Sequence, residues 1–350
     1  MDSLTHIVVG AITGEAVARR SLGKHGMLLG AVGQSLPDID FIAASWLTPA
    51  NNLLAHRAFT HSILFMVLAS FFCALIAERW HRKHDIKLFS WVLFFALQIG
   101  LHLLFDLMNA YGIGLFEPFN HHRVSFNVLF VADPLFSVWP AIAFIFLLFK
   151  RNDHPMRLRW IVTAMSMSAL YLGIALFNKF NIDQAVERNL GQQGIPHQRY
   201  FTTPTPLNTL LWYAVAESDS GCHVGYRSVF DDDPMRFTYH PRNDALLDRL
   251  GNHEDVPQLK RFSQGYYTVT QKQDTIIFND LRFGQVFGWS NPGAPFVFQF
   301  YLQYPDENML VMQRGRFANW NLMNVRATFR RMTGDTSPGP VDTTPVREEL

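Results

Sequence analysis

Four long apolar runs constrain this chain more than any other feature: residues 62–77, 88–105, 135–149 and 160–177. Each holds 15–18 residues, close to the ~20 needed for a helix to cross a hydrocarbon core of about 30 Å. The chain is 49% hydrophobic and 17% charged, but these averages join unlike halves. Residues 181–350 contain no comparable run and are rich in Asp, Asn, Pro and Gly. The pattern predicts a mainly α membrane bundle, with an N-terminal helical hairpin plus four transmembrane helices, followed by a β-rich soluble domain. The expected divisions are a membrane-embedded domain at 1–180, a β-rich domain at 181–333 and a disordered tail at 334–350.

The hairpin is read from apolar segments 3–19 and 26–36, the second ending at Pro37-Asp38-Ile39-Asp40. Its Gly and Ala residues suit a close helix crossing. The first charge is Asp2 and no basic region precedes the apolar segment, so no cleavable signal peptide is expected. Basic clusters at 19–24, 79–87 and 150–159 alternate along the chain so that all three can share one side of the membrane. The excess of Lys and Arg in cytoplasmic loops assigns that side to the cytoplasm. The opposite ends, with the 110–134 loop and the C-terminal domain, are then extracytoplasmic. In that domain, β-branched and aromatic content predicts strands at 224–230, 265–270, 275–279, 295–304 and 309–313, with a hairpin loop at 271–274. Asp133-Pro134 reads as a helix start, and Glu15 as an interfacial or hydrogen-bonded acid.

The residues that could carry chemistry gather at the extracytoplasmic ends. His102, Asp106 and Asn109 share a helix face at spacings of four and seven. A His/Asp pair at i, i+4 suits two ligands of one metal, or equally a packing hydrogen bond. Asp38 and Asp40 could ligate or bridge cations, or cap and stop a helix. His56 and His61 flank Arg57 at the mouth of an apolar run, where ionisable groups are costly without a function. Asp2 and His6 repeat the i, i+4 pair at the start of the chain, and His121-His122-Arg123 lies in the loop at the same side. The two cysteines, Cys73 and Cys222, are too few for a Cys-based site. A formal charge of +1 argues against nucleic acid as a partner. The expected ligands are His6, Asp38, Asp40, His56, His61, His102 and Asp106. They would hold a divalent metal, with zinc the first choice, manganese or iron as alternatives, and room for more than one ion.

Four motifs occurring in order resemble the YdjM-type family of bacterial inner-membrane proteins. They are Asp2-Ser-Leu-Thr-His6, Pro37-Asp38-Ile39-Asp40, His56-Arg57-x-x-Thr60-His61-Ser62 and His102-x-x-x-Asp106-x-x-Asn109-x-Tyr111-Gly112. The resemblance covers about residues 1–180, and the C-terminal domain makes this a long form. It implies a multi-pass protein of the bacterial inner membrane and a metal-dependent hydrolase, remotely similar to the zinc-dependent phospholipase C and single-strand nuclease superfamily. The expected substrate is a phosphoester or a lipid-linked envelope precursor reaching the bilayer surface. Arg57, Asn109 and Arg123 are the expected catalytic residues, the arginines neutralising developing charge. Two other readings accompany this one. A transporter would also place ionisable groups in a membrane, and a non-catalytic envelope or regulatory protein would use the metal structurally. Asp280-Leu-Arg282-Phe-Gly284 has no chemical reading beyond a strand followed by a turn.

Overall fold

The structure is a computed structural model that describes residues 1–250, 255–302 and 321–337. It divides into two compact units, Met1–Trp46 with Ala55–Leu176, and Leu47–Leu54 with Phe177–Leu350.

The first unit is helical. Helix α1 (Ser3–Leu22) is started by Asp2, whose carboxylate accepts from the Thr5 amide at 3.0 Å and from the Thr5 hydroxyl at 2.6 Å. It ends at Gly23, whose φ of 55° is the left-handed turn that reverses the chain into α2 (Lys24–Ser35). Gly10 and Gly14 of α1 meet Gly26 and Gly30 of α2 backbone to backbone. A Cβ at Gly30 would fall on the Gly10 carbonyl oxygen and press the Gly14 Cα. The predicted small-residue crossing is therefore present. Gly30→Val is expected to cost about 1–3 kcal/mol by overpacking, seen as a lower thermal midpoint of the purified protein.

A 3-10 segment (Pro37–Ser45), helix α3 (Pro49–Ala55) and a 3-10 turn (Phe59–His61) lead into α4 (Ile63–Trp80). Helix α4 is capped by Ser62, whose hydroxyl accepts from the Phe65 amide. It buries only a strip of small residues, including Ala74 and Ala77 against Trp91, Phe94 and Phe95 of α5 (Leu88–Asp106). Phe71, Phe72 and Ile76 point outward. A helix apolar on every face but packed on one is suited to lipid. Helix α6 (Pro134–Phe149) begins as predicted: Asp133 caps the Leu135 amide at 3.0 Å with Pro134 in the first turn, and the Tyr171 hydroxyl donates to the same carboxylate. Helix α7 (Arg157–Gln192) runs without a break past residue 180, so the helical part of the chain extends beyond the boundary expected from composition.

Among the described residues, α4, α5 and α7 have the length and hydropathy to cross a membrane. Helix α6 is apolar but has 16 residues, about 24 Å at 1.5 Å per residue, so the expected count of four spans falls to three of full length. The basic ends of the helices lie together. Leu22, Ala77 and Trp91 share one cluster, and the Lys24 ammonium donates to the Leu148 carbonyl at 2.7 Å. Arg157 departs from the simple charge count. It is buried, with Nε 2.7 Å from Glu15, and it donates to the Leu147 and Lys150 carbonyls at the end of α6. Glu15 is thus hydrogen-bonded, by an arginine that loop charges alone would have placed in water.

Among its described residues, the second unit holds two antiparallel sheets. The first joins β1 (Arg199–Pro204), β2 (Leu211–Glu217), β3 (Gly221–Ser228) and β4 (Phe237–Pro241) in chain order. After short helices α8 (Ala245–Asp248) and α9 (Asp255–Phe262), the second joins β5 (Tyr267–Lys272), β6 (Thr275–Gln285) and β7 (Phe296–Tyr301). Helix α10 (Leu322–Met332) follows. Tyr213, Val215, Cys222 and Val224 of the first sheet pack on Leu281 and Phe296 of the second. The strands expected at 224–230, 265–270, 275–279 and 295–304 correspond to β3, β5, β6 and β7, with residues 303–304 outside the described residues. The 309–313 strand and residues 338–350 of the tail lie outside the described residues. The hairpin loop is Gln273-Asp274, because Lys272 pairs with Thr275 and Gln273 takes a φ of 52°. Asp280-Leu-Arg282-Phe-Gly284 forms an irregularity in β6. There the buried Arg282 donates to Asp280 at 2.6 Å and stacks on Phe262 and Phe283.

Candidate metal centre

The 3-10 segment after α2 turns Asp38 and Asp40 inward and puts Ile39, Phe41 and Ile42 outside. The next turn supplies His61, and the last turn of α5 supplies His102 and Asp106 from one helix face. Asp38, His61, His102 and Asp106 each offer a ligand atom, and all four atoms lie within 4.8 Å of one another. His61 Nε2 is 3.2 Å from Asp106 Oδ2 and 3.7 Å from Asp38 Oδ1. His102 Nε2 is 3.5 Å and 3.7 Å from the same two atoms. The centre lies at the opposite end of α1 and α5 from the basic turns.

The far side of each imidazole decides which nitrogen faces inward. His102 Nδ1–H donates to the Gln34 carbonyl at 2.6 Å, which leaves the Nε2 lone pair for the centre. His61 Nδ1 lies 3.5 Å from Asp40 and 3.0 Å from the Thr60 hydroxyl, so its Nε2 also points inward. The two Nε2 atoms are 3.1 Å apart. Burial holds the His61 imidazole well below its ordinary range, against the opposing pull of Asp40, and the neutral ring is the form that binds metal. Beside these lone pairs, the fully buried Asp106 Oδ2 has no hydrogen-bond partner. With both Nδ1 atoms protonated, two facing lone pairs and an orphaned carboxylate oxygen would repel one another and fit a cation.

The other expected ligands lie around this core. His6 stacks on His102 with ring centroids 3.8 Å apart, and its Nε2 is 3.3 Å from Asp106 Oδ1, the carboxylate's other face. The Met1 amine touches that same oxygen. Asp40 accepts from the Arg57 amide at 2.6 Å and the Thr60 hydroxyl at 3.3 Å, and it faces His56 at 3.2 Å. Burial pushes its carboxyl up, but the hydrogen bond and charge of His56, with His61 and the Arg57 amide, hold it below the usual carboxylate range. Asp40 thus lies between His56 and the Nδ1 side of His61. The His56 side chain is half exposed, and its ring centroid is 6.3 Å from that of His61.

Arg57 is buried and takes a φ of 58°. Its guanidinium is 3.2 Å from Asp106 Oδ1, donates to Asn109 Oδ1 at 3.0 Å and to the Met1 carbonyl at 2.9 Å, and lies over the Tyr111 ring. Asn109 thus links the arginine to the Tyr111 amide. Arg123 donates to the His56 and Gly112 carbonyls, fastening the loop to the motif. Ser3 donates to Asp38 Oδ2 at 3.0 Å. Ser3 and the Gln34 carbonyl were not foreseen, and a backbone acceptor leaves no mark on sequence.

Fold and centre together define a polytopic membrane protein with a His/Asp cluster at one end of its helical bundle. A sequence profile of the YdjM inner membrane protein family matches residues 1–182, and the chain belongs to that family. It is 30% identical over 149 residues to the uncharacterized protein YfhP of Bacillus subtilis (strain 168), covering 39% of this chain and 43% of YfhP. It is 27% identical over 122 residues to the inner membrane protein YbcI of Escherichia coli (strain K12), covering 34% of this chain and 69% of YbcI. The match thus spans less than two thirds of YfhP. No solved structure matches.

Proposed function

We propose that the chain is a membrane-bound metal-dependent hydrolase acting on a phosphoester or lipid-linked substrate, with its centre and C-terminal domain outside the cytoplasm. The observation that carries the reading is the pair of inward Nε2 atoms beside the unpartnered Asp106 Oδ2. His61, His102, Asp38 and Asp106 would hold the metal, zinc being the best fit to two imidazoles and two carboxylates. A bound divalent ion of this kind lowers the pKa of a water and polarises a phosphoryl or carbonyl oxygen. Asp40 and the Gln34 carbonyl keep the two imidazoles in the ligating tautomer. Arg57 holds Asp106 in place and carries positive charge to the edge of the centre, where an anionic substrate would need it. The basic turns that cluster at the other end of the bundle support this side of the membrane.

A structural metal site is the second reading, and burial favours it. His61, His102 and Asp106 are wholly enclosed, and Asp38 keeps only 19% of its side chain exposed. Elemental analysis of the purified full chain addresses the shared first step. About one equivalent of metal or more is expected in the wild type, with a loss of more than about tenfold in affinity for His61→Ala and His102→Ala. Metal content unchanged in both variants overturns both readings. Turnover of phosphoester lipids by the metal-loaded chain separates them, since a structural site supports none.

A further inference from the structure

The outer edge of the centre is apolar. The segment Pro37–Trp46 carries no charge besides Asp38 and Asp40, and both of these face inward. Its other side exposes Ile39, Phe41 at 69%, Ile42 at 49% and Trp46 at 70%. Phe59, on the turn that supplies His61, is exposed beside it, and Ile63 opens the outward face of α4. A loop facing water would not present these residues together.

The centre itself sets the depth of this edge. Asp38 is 3.7 Å from both His61 and His102, which holds the segment level with the start of α4 and the last turn of α5. Those are the ends of two helices with spanning length and hydropathy. Helix ends of this kind lie at the boundary between hydrocarbon and water, where Trp and other aromatic residues concentrate. Asp38, the one partly exposed member of the four, comes from the same segment.

We propose that Pro37–Trp46 is a sill immersed in the lipid interface, and that the centre opens over it to the bilayer. The ligand would then be an amphiphile whose anionic headgroup passes Asp38 while its chain stays in the lipid. The choice of ligand rests on the function proposed above, but the immersion of the sill does not, and the two can fail separately.

The test uses the full chain in phosphatidylcholine vesicles, with Cys73→Ser and Cys222→Ser removing the native thiols. A fluorophore is attached at Phe41→Cys, and in a second protein at Ile42→Cys in case the first does not fold. Asp232→Cys in the polar domain provides the water-exposed reference. Lipids carrying a nitroxide near the headgroup end of the chain are expected to quench both sill labels strongly. Aqueous iodide is expected to quench them several-fold less than the reference. Iodide quenching equal to the reference overturns the proposal. So does a label reached by neither quencher, which would mean that a second protein copy covers the edge. Metal content measured on the same samples reports on the centre independently: lipid quenching without bound metal keeps the sill and removes the amphiphile.

Discussion

Asp106→Asn is expected to abolish binding of the proposed metal and to destabilise the bundle around the centre. The carboxylate faces His61 and His102 with Oδ2, and His6, the Met1 amine and Arg57 with Oδ1. The amide keeps the shape and removes the charge. One oxygen would be replaced by an NH2 group, which cannot ligate a metal. Arg57 would remain buried beside a neutral group, and breaking a buried ion pair from one side costs about 3–5 kcal/mol. The contacts that Arg57 keeps with Asn109 and the Met1 carbonyl place the expected loss at the lower end of that range. Elemental analysis and thermal unfolding in the same detergent check both parts. Retained metal with an unchanged midpoint would show that Asp106 is not the hub of the centre.

Arg157→Met should have the largest effect on stability at the other end of the bundle. The guanidinium is wholly buried and joins Glu15 of α1 to the last carbonyls of α6. Without it, Glu15 is a buried carboxylate with no partner, since Oε2 already lacks one. The expected loss is again about 3–5 kcal/mol. The double variant Glu15→Gln with Arg157→Met should recover part of that loss, because no lone charge remains. It should not recover all of it, because Leu147 and Lys150 still lose their donor. Equal midpoints for the single and double variants would mean that Arg157 acts through the α6 carbonyls alone. The two predictions concern opposite ends of the bundle with no partner in common, so their effects should add.

Arg157 also shows where reading loops for charge stops working. A basic residue just before an apolar run counts toward orientation whether it ends in water or folds back into the bundle. Helix periodicity placed Glu15 on α1 but could not name a partner 142 residues away. The strands show a similar limit. β5 and β6 were visible because two stretches rich in β-branched and aromatic residues flank the polar residues 271–274. β1 and β2 were missed: β1 combines threonines with a terminal proline, and β2 is buried on both faces and so lacks the alternation that marks a half-exposed strand.

The sequence by itself determined that this chain has a membrane-embedded helical half, a glycine-rich hairpin at its start and a set of His and Asp residues at one end of its apolar runs. Local rules suffice for these features: run length against bilayer thickness, small residues at a close crossing, and i, i+4 spacing on a helix. Seven candidate ligands followed, but spacing could not rank them. The tertiary structure distinguishes their surroundings through contacts made by each side chain's other atoms. Asp40 has its oxygens engaged by an amide, a hydroxyl and His56, whereas Asp106 keeps one oxygen unpartnered. His102 is turned by a carbonyl of α2, and His61 by Asp40 and Thr60. Hydrogen-bond saturation is a property of the packed neighbourhood. That is why His56 and His61, five positions apart in one motif, sit in different surroundings, one partly exposed beside Asp40 and the other buried beside Asp106.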